Sequence, residues 1–248
     1  MAATPDGVAV AWVHSNEVAY SWASSMLQAQ MDLLMSGRQV RWLAMKYGSG
    51  GIADARNRAA AAFLAGDLPW MVWIDTDMGF EPDGVSRLLE VVDPVERPVV
   101  GGLCFASYEA RGDDAGGFAT FPVPTIYDWA VQPDGTTGFV ARASYDRDAL
   151  VQCHATGSAF VAIHRSVFER IAEKEGPAWY TPIPNPEGAF FGEDMSFCIR
   201  LVEHQVPLHV HTGIRTTHLK PMWLSEAHYD MWKDYAGYAA VGHSADRT

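Results

Sequence analysis

The stretch Trp70-Met71-Val72-Trp73-Ile74-Asp75-Thr76-Asp77 constrains this chain more than any other. It opens as an unbroken apolar run in which aromatic and β-branched residues predominate. Such a run reads as a strand buried on both faces, the kind found inside a parallel sheet. Two carboxylates follow, one residue apart, at the strand's C-terminal end. In open α/β sheets, ligands bind outside that edge. Side chains two apart on a strand point the same way, so Asp75 and Asp77 can converge on one cation. Hard oxygen ligands suit Mg²⁺ or Mn²⁺, usually shared with a phosphate. The plainer alternative is a polar strand end or the start of a turn, where Asp is common.

Around this run the chain alternates strands and helices. Residues 8–13 read as a first buried strand, 17–35 as a helix stopped by Gly37, and 40–45 as a second strand. Gly48–Gly51 is a flexible turn, and the alanine-rich residues 52–64 form a helix. Strand, helix, strand, helix, strand within the first 77 residues predicts right-handed crossovers onto a parallel sheet. Further helices are expected at 82–92, 166–175, 193–204 and 224–241, with strands at 99–105, 159–163 and 208–210. Between residues 107 and 145 the texture turns to Gly, Asp, Pro and aromatics, which predicts loops and a hairpin, and 177–188 is a proline-rich loop.

At 248 residues with 48% hydrophobic content, one large α/β domain, or one domain with a small appendage, is expected, with ample core. No apolar stretch is long enough to span a membrane and no signal-like segment opens the chain, so the expectation is a soluble, cytoplasmic protein without a transmembrane segment. Cys104, Cys153 and Cys198 are few, far apart and odd in number, which suggests neither a disulfide framework nor a structural zinc site. The formal charge of −12 opposes general nucleic-acid binding, which needs Lys and Arg against phosphates.

Two later clusters carry possible chemistry. Phe190-Phe191-Gly192-Glu193-Asp194 places two acids at the head of a helix. Acids there are favoured by the helix dipole and can be ordinary capping; the functional alternative is that one acid serves as a general base. His218 follows a late strand, where the chain can return to the edge bearing Asp75 and Asp77. An imidazole added to carboxylates tilts the metal preference from Mg²⁺ toward Mn²⁺.

The order of these parts resembles the GT-A fold glycosyltransferases of the family 2-like kind. The resemblance rests on Ala55-Arg56-Asn57-Arg58 ahead of the strand, Ile74-Asp75-Thr76-Asp77, Thr156-Gly157-Ser158-Ala159 leading into a strand, Gly192-Glu193-Asp194 opening a helix, and His218. It covers roughly residues 8–218, and Phe191-Gly192-Glu193-Asp194 with Phe197-Cys198-Ile199-Arg200 looks like the small glycosyltransferases of bacteria and their phages. The resemblance implies a single GT-A (Rossmann-like) α/β domain over residues 1–222, with a mainly parallel central sheet flanked by helices. Its nucleotide-sugar half would span about 1–105 and its acceptor half about 106–222, followed by a C-terminal helical extension over 223–248.

It further implies a nucleoside diphosphate sugar donor, UDP-sugar favoured, and a Mn²⁺ or Mg²⁺ ion held by Asp77 and His218. Asp75 would bond the ribose or help hold the metal. Arg56 and Asn57 would face the nucleotide, Arg58 or Lys220 would meet phosphate, and His14 and Ser15 would sit near base and ribose. Asp194 would be the base of an inverting transfer, with Glu193 orienting donor or acceptor. Many relatives carry an acid at the end of the second strand, where this chain has Met45-Lys46-Tyr47; Tyr47 could stack on a base or simply pack.

The acceptor, whether glycan, protein or lipid, is left open. Aromatics in 107–145 and 177–188 suit stacking on sugar or peptide. Tyr229, Trp232, Tyr235 and Tyr238 repeat at spacing three, a stripe suited to core packing or to a homo-oligomer through the C-terminal helix, the alternative being a membrane-surface or acceptor face. A haloacid dehalogenase-like phosphatase also uses Asp-x-Asp, but expects Thr or Val where this chain has Gly79. A sugar nucleotidyltransferase would place a glycine-rich basic loop at His14-Ser15-Asn16-Glu17. A non-catalytic sugar- or nucleotide-binding module would keep the fold without needing Asp194.

Overall fold

A computed structural model describes residues 7–111, 118–131, 135, 137–185, 188–226 and 228–233. The elements run β1 (Gly7–His14), α1 (Tyr20–Met35), β2 (Gln39–Lys46), α2 (Gly51–Leu64), β3 (Trp70–Ile74), β4 (Met78–Phe80), α3 (Gly84–Val91) and β5 (Val99–Leu103). Then come β6 (Phe105–Arg111), β7 (Phe118–Pro124), β8 (Tyr127–Val131), β9 (Thr137–Ala141), β10 (Leu150–Cys153), β11 (Phe160–His164), α4 (Arg165–Glu175), α5 (Glu193–Glu203) and β12 (Leu208–His218). Contacts sort the chain into two compact units, one of Met1–Phe105 with Pro124–Leu219 and one of Ala106–Val123 with Lys220–Thr248.

The first unit is built on a mostly parallel sheet in the order β10-β12-β5-β11-β3-β1-β2. β1, β2 and β3 run together, β5 and β12 run parallel to one another, and β11 lies antiparallel between β3 and β5. Every residue of β3 is buried. Its alternate side chains enter two different cores, which is why its sequence shows no polar face. Met71 and Trp73 pack on one side with Phe63 of α2, Phe168 of α4 and Phe197 of α5. Trp70, Val72 and Ile74 pack on the other with Met26 and Leu33 of α1 and Leu88 of α3.

Three departures from the sequence reading bear on the site. α1 begins at Tyr20 rather than 17, because the Ala19 N–H is spent on the Thr76 carbonyl at 2.8 Å, which ties the incoming chain to the Asp-x-Asp turn. The loop at 177–188 offers neither of its aromatics for stacking: Trp179 and Tyr180 are core residues. The Trp179 indole donates to the Phe168 carbonyl at 2.8 Å, and Tyr180 stacks on Phe197 at 4.7 Å. Last, β12 runs on to His218 instead of ending at 210. Its register against β5 breaks between His211 and Arg215, and its final residues pair antiparallel with β4, Thr217 opposite Gly79 and His218 opposite Met78.

α5 is anchored by Arg200, which donates to Glu175 at 2.8 Å and to the Thr181 carbonyl at 2.9 Å. In the second unit β6 pairs with β7. There Thr120 accepts from the Trp223 N–H at 2.9 Å, and the His228 ring meets the Thr120 carbonyl at 2.8 Å. Tyr229 and Trp232 stack at 6.0 Å, whereas Tyr235 and Tyr238 of the expected stripe lie outside the described residues. Among the described residues no helix is long and apolar enough to cross a membrane.

The β4–β12 pairing leaves no room at Gly79: an added Cβ would stand 2.5 Å from Thr217 Oγ1 and 3.2 Å from Ser21 Cβ. Gly79→Ala is expected to destabilise the fold by about 1–3 kcal/mol through overpacking. Urea denaturation checks this; an unchanged midpoint would mean the pairing yields without strain.

Candidate active site

The chain leaves β3 at Ile74 and turns at once, the Asp75 N–H bonding the Ala159 carbonyl at 2.9 Å and the Asp75 carbonyl accepting from the Met78 N–H at 3.2 Å. Asp75 Oδ1 accepts from Arg56 Nη2 at 2.7 Å. Burial pushes the Asp75 carboxyl above its ordinary value; Arg56 pulls the other way, and nearby Asp77 and Glu193 add to the rise. Arg56 itself is 2% exposed. Its guanidinium lies 4.9 Å from the Trp73 ring and 5.7 Å from the Tyr180 ring, with the Trp73 indole bonded to the Tyr180 hydroxyl at 2.7 Å. Burial opposes the guanidinium's charge, but Asp75, then Tyr180 and Glu193, hold it firmly protonated. The expected nucleotide-facing Arg56 is therefore an enclosed residue, drawn inward by a carboxylate and two aromatic faces. Asn57 accepts from the Tyr180 N–H at 2.8 Å and donates to the Thr181 hydroxyl at 3.1 Å, so its amide holds the Tyr180 backbone and the Thr181 side chain.

Asp77 and His218 meet across the β4–β12 pairing. His218 Nε2 is 3.1 Å from Asp77 Oδ2, and His218 Nδ1 is 2.7 Å from the Phe105 carbonyl. A carbonyl oxygen only accepts, so the Nδ1 proton points at Phe105 and Nε2 is the nitrogen turned to the carboxylate. The expected three-residue metal set is not assembled. Among the described residues no three His, Cys, Asp or Glu side chains gather as a metal-holding group. Asp75 is engaged by Arg56 instead, and Asp77 with His218 is the carboxylate–imidazole pair set together here. That pair fits Mn²⁺ or Mg²⁺ bound mainly through substrate phosphates and water, an arrangement these ions favour.

The two acids of α5 have different surroundings. Glu193 Oε1 lies 3.5 Å from Arg56 Nε. Asp194 Oδ1 accepts from the Met195 N–H at 2.8 Å, so part of the plain capping role is realised. Its other oxygen faces Gly157, where an added Cβ would sit 3.7 Å away. Burial pushes the Asp194 carboxyl up to about 6, with Glu193 adding to the effect and the Met195 N–H and Arg56 opposing it. A carboxyl poised there can accept a proton at neutral pH, the property a general base needs.

The other expected residues have local contacts of their own. The His14 carbonyl accepts from the Tyr47 N–H at 3.0 Å, joining the ends of β1 and β2, and Ser15 Oγ is 3.4 Å from the Glu17 N–H. Tyr47 packs partly against the core. Arg58 is spent on Asp54 at 2.9 Å and on the Lys46 carbonyl at 2.9 Å. Lys220 opens the second unit. Trp73, Tyr180 and the Phe105 carbonyl were missed by sequence reasoning. Each belongs to a segment that reads as ordinary strand or loop, and only their contacts with Arg56 and His218 distinguish them.

No family model matches this sequence, and no curated protein matches it. Solved structures do match. GalNAc-T7 with UDP, GalNAc and Mn²⁺ aligns over 88% of this chain and 44% of its own, at 13% identity and a TM-score of 0.54. The chain thus spans less than half of that protein. A Drosophila beta-1,4-galactosyltransferase 7 mutant in complex with manganese, UDP-Gal and xylobiose aligns over 87% of this chain and 71% of its own, at 12% identity and TM-score 0.48. A197 from STIV aligns over 86% of each chain, at 15% identity and TM-score 0.46. The likeness to GalNAc-T7 is one of fold: the mostly parallel sheet flanked by helices is that of the GT-A-like glycosyltransferases.

The Asp194 environment has a cost for the fold. Its carboxyl in the folded chain titrates above its ordinary value of 3.8, so protonation favours the folded state. The full stability is present below about pH 4 and is lost as pH rises through about 6. Asp194→Asn is expected to be more stable than the parent by about 1–3 kcal/mol at pH 8, and equal to it at pH 4. Urea denaturation at both pH values checks this; a difference independent of pH would contradict it.

Proposed function

We propose that this protein is a metal-dependent glycosyltransferase that moves a sugar from a nucleoside diphosphate sugar to an acceptor hydroxyl. The observation that carries the reading is the pairing of Asp77 with His218 at 3.1 Å, on the same unit as a carboxylate, Asp194, held near neutrality. The GalNAc-T7 structure, which contains UDP, GalNAc and Mn²⁺, supports trying UDP-sugars first.

Asp77 and His218 would hold the divalent ion together with the donor's diphosphate. When bound, the ion supplies charge neutralisation for the diphosphate leaving group. Asp194 takes the proton from the acceptor hydroxyl as that oxygen attacks the anomeric carbon. The anomeric C–O bond to the diphosphate breaks, its electron pair leaves with the diphosphate, and configuration inverts. The Met195 N–H keeps one oxygen of Asp194 engaged, so the other is the one available for the proton. Glu193 stands beside it, where its charge opposes ionisation of Asp194 and so raises basicity. His14, Ser15 and Tyr47, at the ends of β1 and β2, are the proposed nucleotide-side residues.

Calorimetry with a panel of UDP- and GDP-sugars, with and without Mn²⁺, tests the reading. Metal-dependent binding of one donor, with nucleotide released on turnover, is expected; binding with no turnover on any acceptor would point instead to a binding module. Asp77→Ala is expected to abolish Mn²⁺-dependent donor binding, and unchanged binding would remove its role. Asp194→Asn is expected to spare donor binding and slow transfer by about 10²–10⁴-fold. In the parent, turnover should fall as pH drops below about 6, where Asp194 becomes protonated.

A further inference from the structure

We propose that Arg56 is a positioning residue, whose single buried guanidinium holds the end of β3 and the head of α5 in one register and so presents Asp194 to the donor site. This role rests on the glycosyltransferase reading and goes beyond it. Arg56 comes from α2, Asp75 from the end of β3 and Glu193 from the first turn of α5. The guanidinium reaches both acids, Asp75 at 2.7 Å and Glu193 at 3.5 Å. The Trp73 and Tyr180 rings flank it, and Tyr180 is fixed in turn by the Trp73 indole and by Phe197 of α5.

Stability alone is a poor account of this arrangement. Arg56 Nε and Nη1 are buried without hydrogen-bond partners. Open donors on a desolvated cation are costly, and a well-packed apolar side chain commonly replaces a buried ion pair without loss. What an apolar side chain cannot do is direct two carboxylates from two elements toward one centre. A lysine cannot do it either, since its ammonium is a point charge on a flexible stem, whereas the guanidinium is a planar fork. Glu193 precedes Asp194 directly, so the angle at which α5 meets Arg56 sets where the Asp194 carboxylate lies. Misplacement of a reacting group by about 1 Å can slow a reaction about 10²-fold while leaving binding nearly untouched.

The groups facing Asp194 are Glu193 on its own helix, Arg56 from α2, Asp75 from the end of β3, Tyr127 from β8 and Cys198 from α5. Arg56 is the cation in that set. Replacing it with a neutral residue should move the acid limb of turnover to higher pH, and a lysine should leave the limb in place. An Arg56 without electrostatic reach to Asp194 would leave the limb unmoved in the neutral variant as well.

The test uses the full chain, UDP with Mn²⁺ in calorimetry, and hydrolysis of whichever UDP-sugar the parent turns over, with water as acceptor. A parent that neither binds nor hydrolyses any UDP-sugar rejects the proposed function, and this role with it. In an active parent, Arg56→Lys is expected to keep UDP affinity within about threefold and to lower kcat at least about 30-fold. Arg56→Met is expected to add the shift of the acid limb. UDP affinity falling in step with kcat would make Arg56 a nucleotide-binding residue and overturn the proposal, as would an unchanged kcat. Should both variants fail to fold, Tyr180→Phe removes only the hydroxyl that accepts from Trp73. It should lower kcat about 3–10-fold at constant UDP affinity, and an unchanged kcat would overturn the proposal.

Discussion

Carboxylates that emerge from a strand buried on both faces must be compensated, and most of the site follows from that constraint. β3 has no solvent-facing side, so Asp75 leaves it into surroundings that penalise charge. Unpaired, a desolvated carboxylate neutralises or unfolds its neighbourhood. Here Asp75 has Arg56 and Asp77 has His218. Asp194, lying beside Glu193, is instead left with a raised affinity for its proton. Three acids in one region thus have three different surroundings.

Asp77 and His218 are separated by 141 residues, and one irregularity in a strand brings them together. The first part of β12 follows β5 in parallel register; past the break it turns to pair with β4. Gly213, inside the break, lies where an added Cβ would meet His211 at 3.0 Å and Asp148 at 3.1 Å, so the break is packed as well as bent. Backbone hydrogen bonding, rather than any attraction between the two side chains, sets their separation. The Leu219 N–H on the Asp77 carbonyl at 2.9 Å closes the same corner. Backbone pairing thus closes the corner where Asp77 and His218 meet.

Much of this was legible beforehand. The apolar run of β3, the alanine-rich α2 and the acid-led α5 show in composition and periodicity, because each reports local geometry and burial. The acids and His218 could be singled out because charged and imidazole groups next to apolar segments need a reason. The enclosure of Arg56 was not legible. On a helix surface an arginine reads as solvated, and nothing local signals that Trp73 and Tyr180, 107 residues apart and bonded to each other, enclose it. Asp75 as a third metal ligand was likewise not supported, because its partner lies on another element. The 177–188 loop read as an aromatic surface, yet Trp179 and Tyr180 fill the core below α4 and α5.

The sequence by itself determined the class of architecture and which carboxylates and imidazoles fall at the ends of its elements. Strand and helix periodicity, and the placing of acids at element ends, are properties of neighbours along the chain. The tertiary structure alone decided which acid meets Arg56 and which meets His218, which nitrogen of His218 faces Asp77, and how far Asp194 is desolvated. Those are distances and dielectric surroundings between segments far apart in sequence. They exist only once the sheet has chosen its order and β12 has turned from β5 to β4.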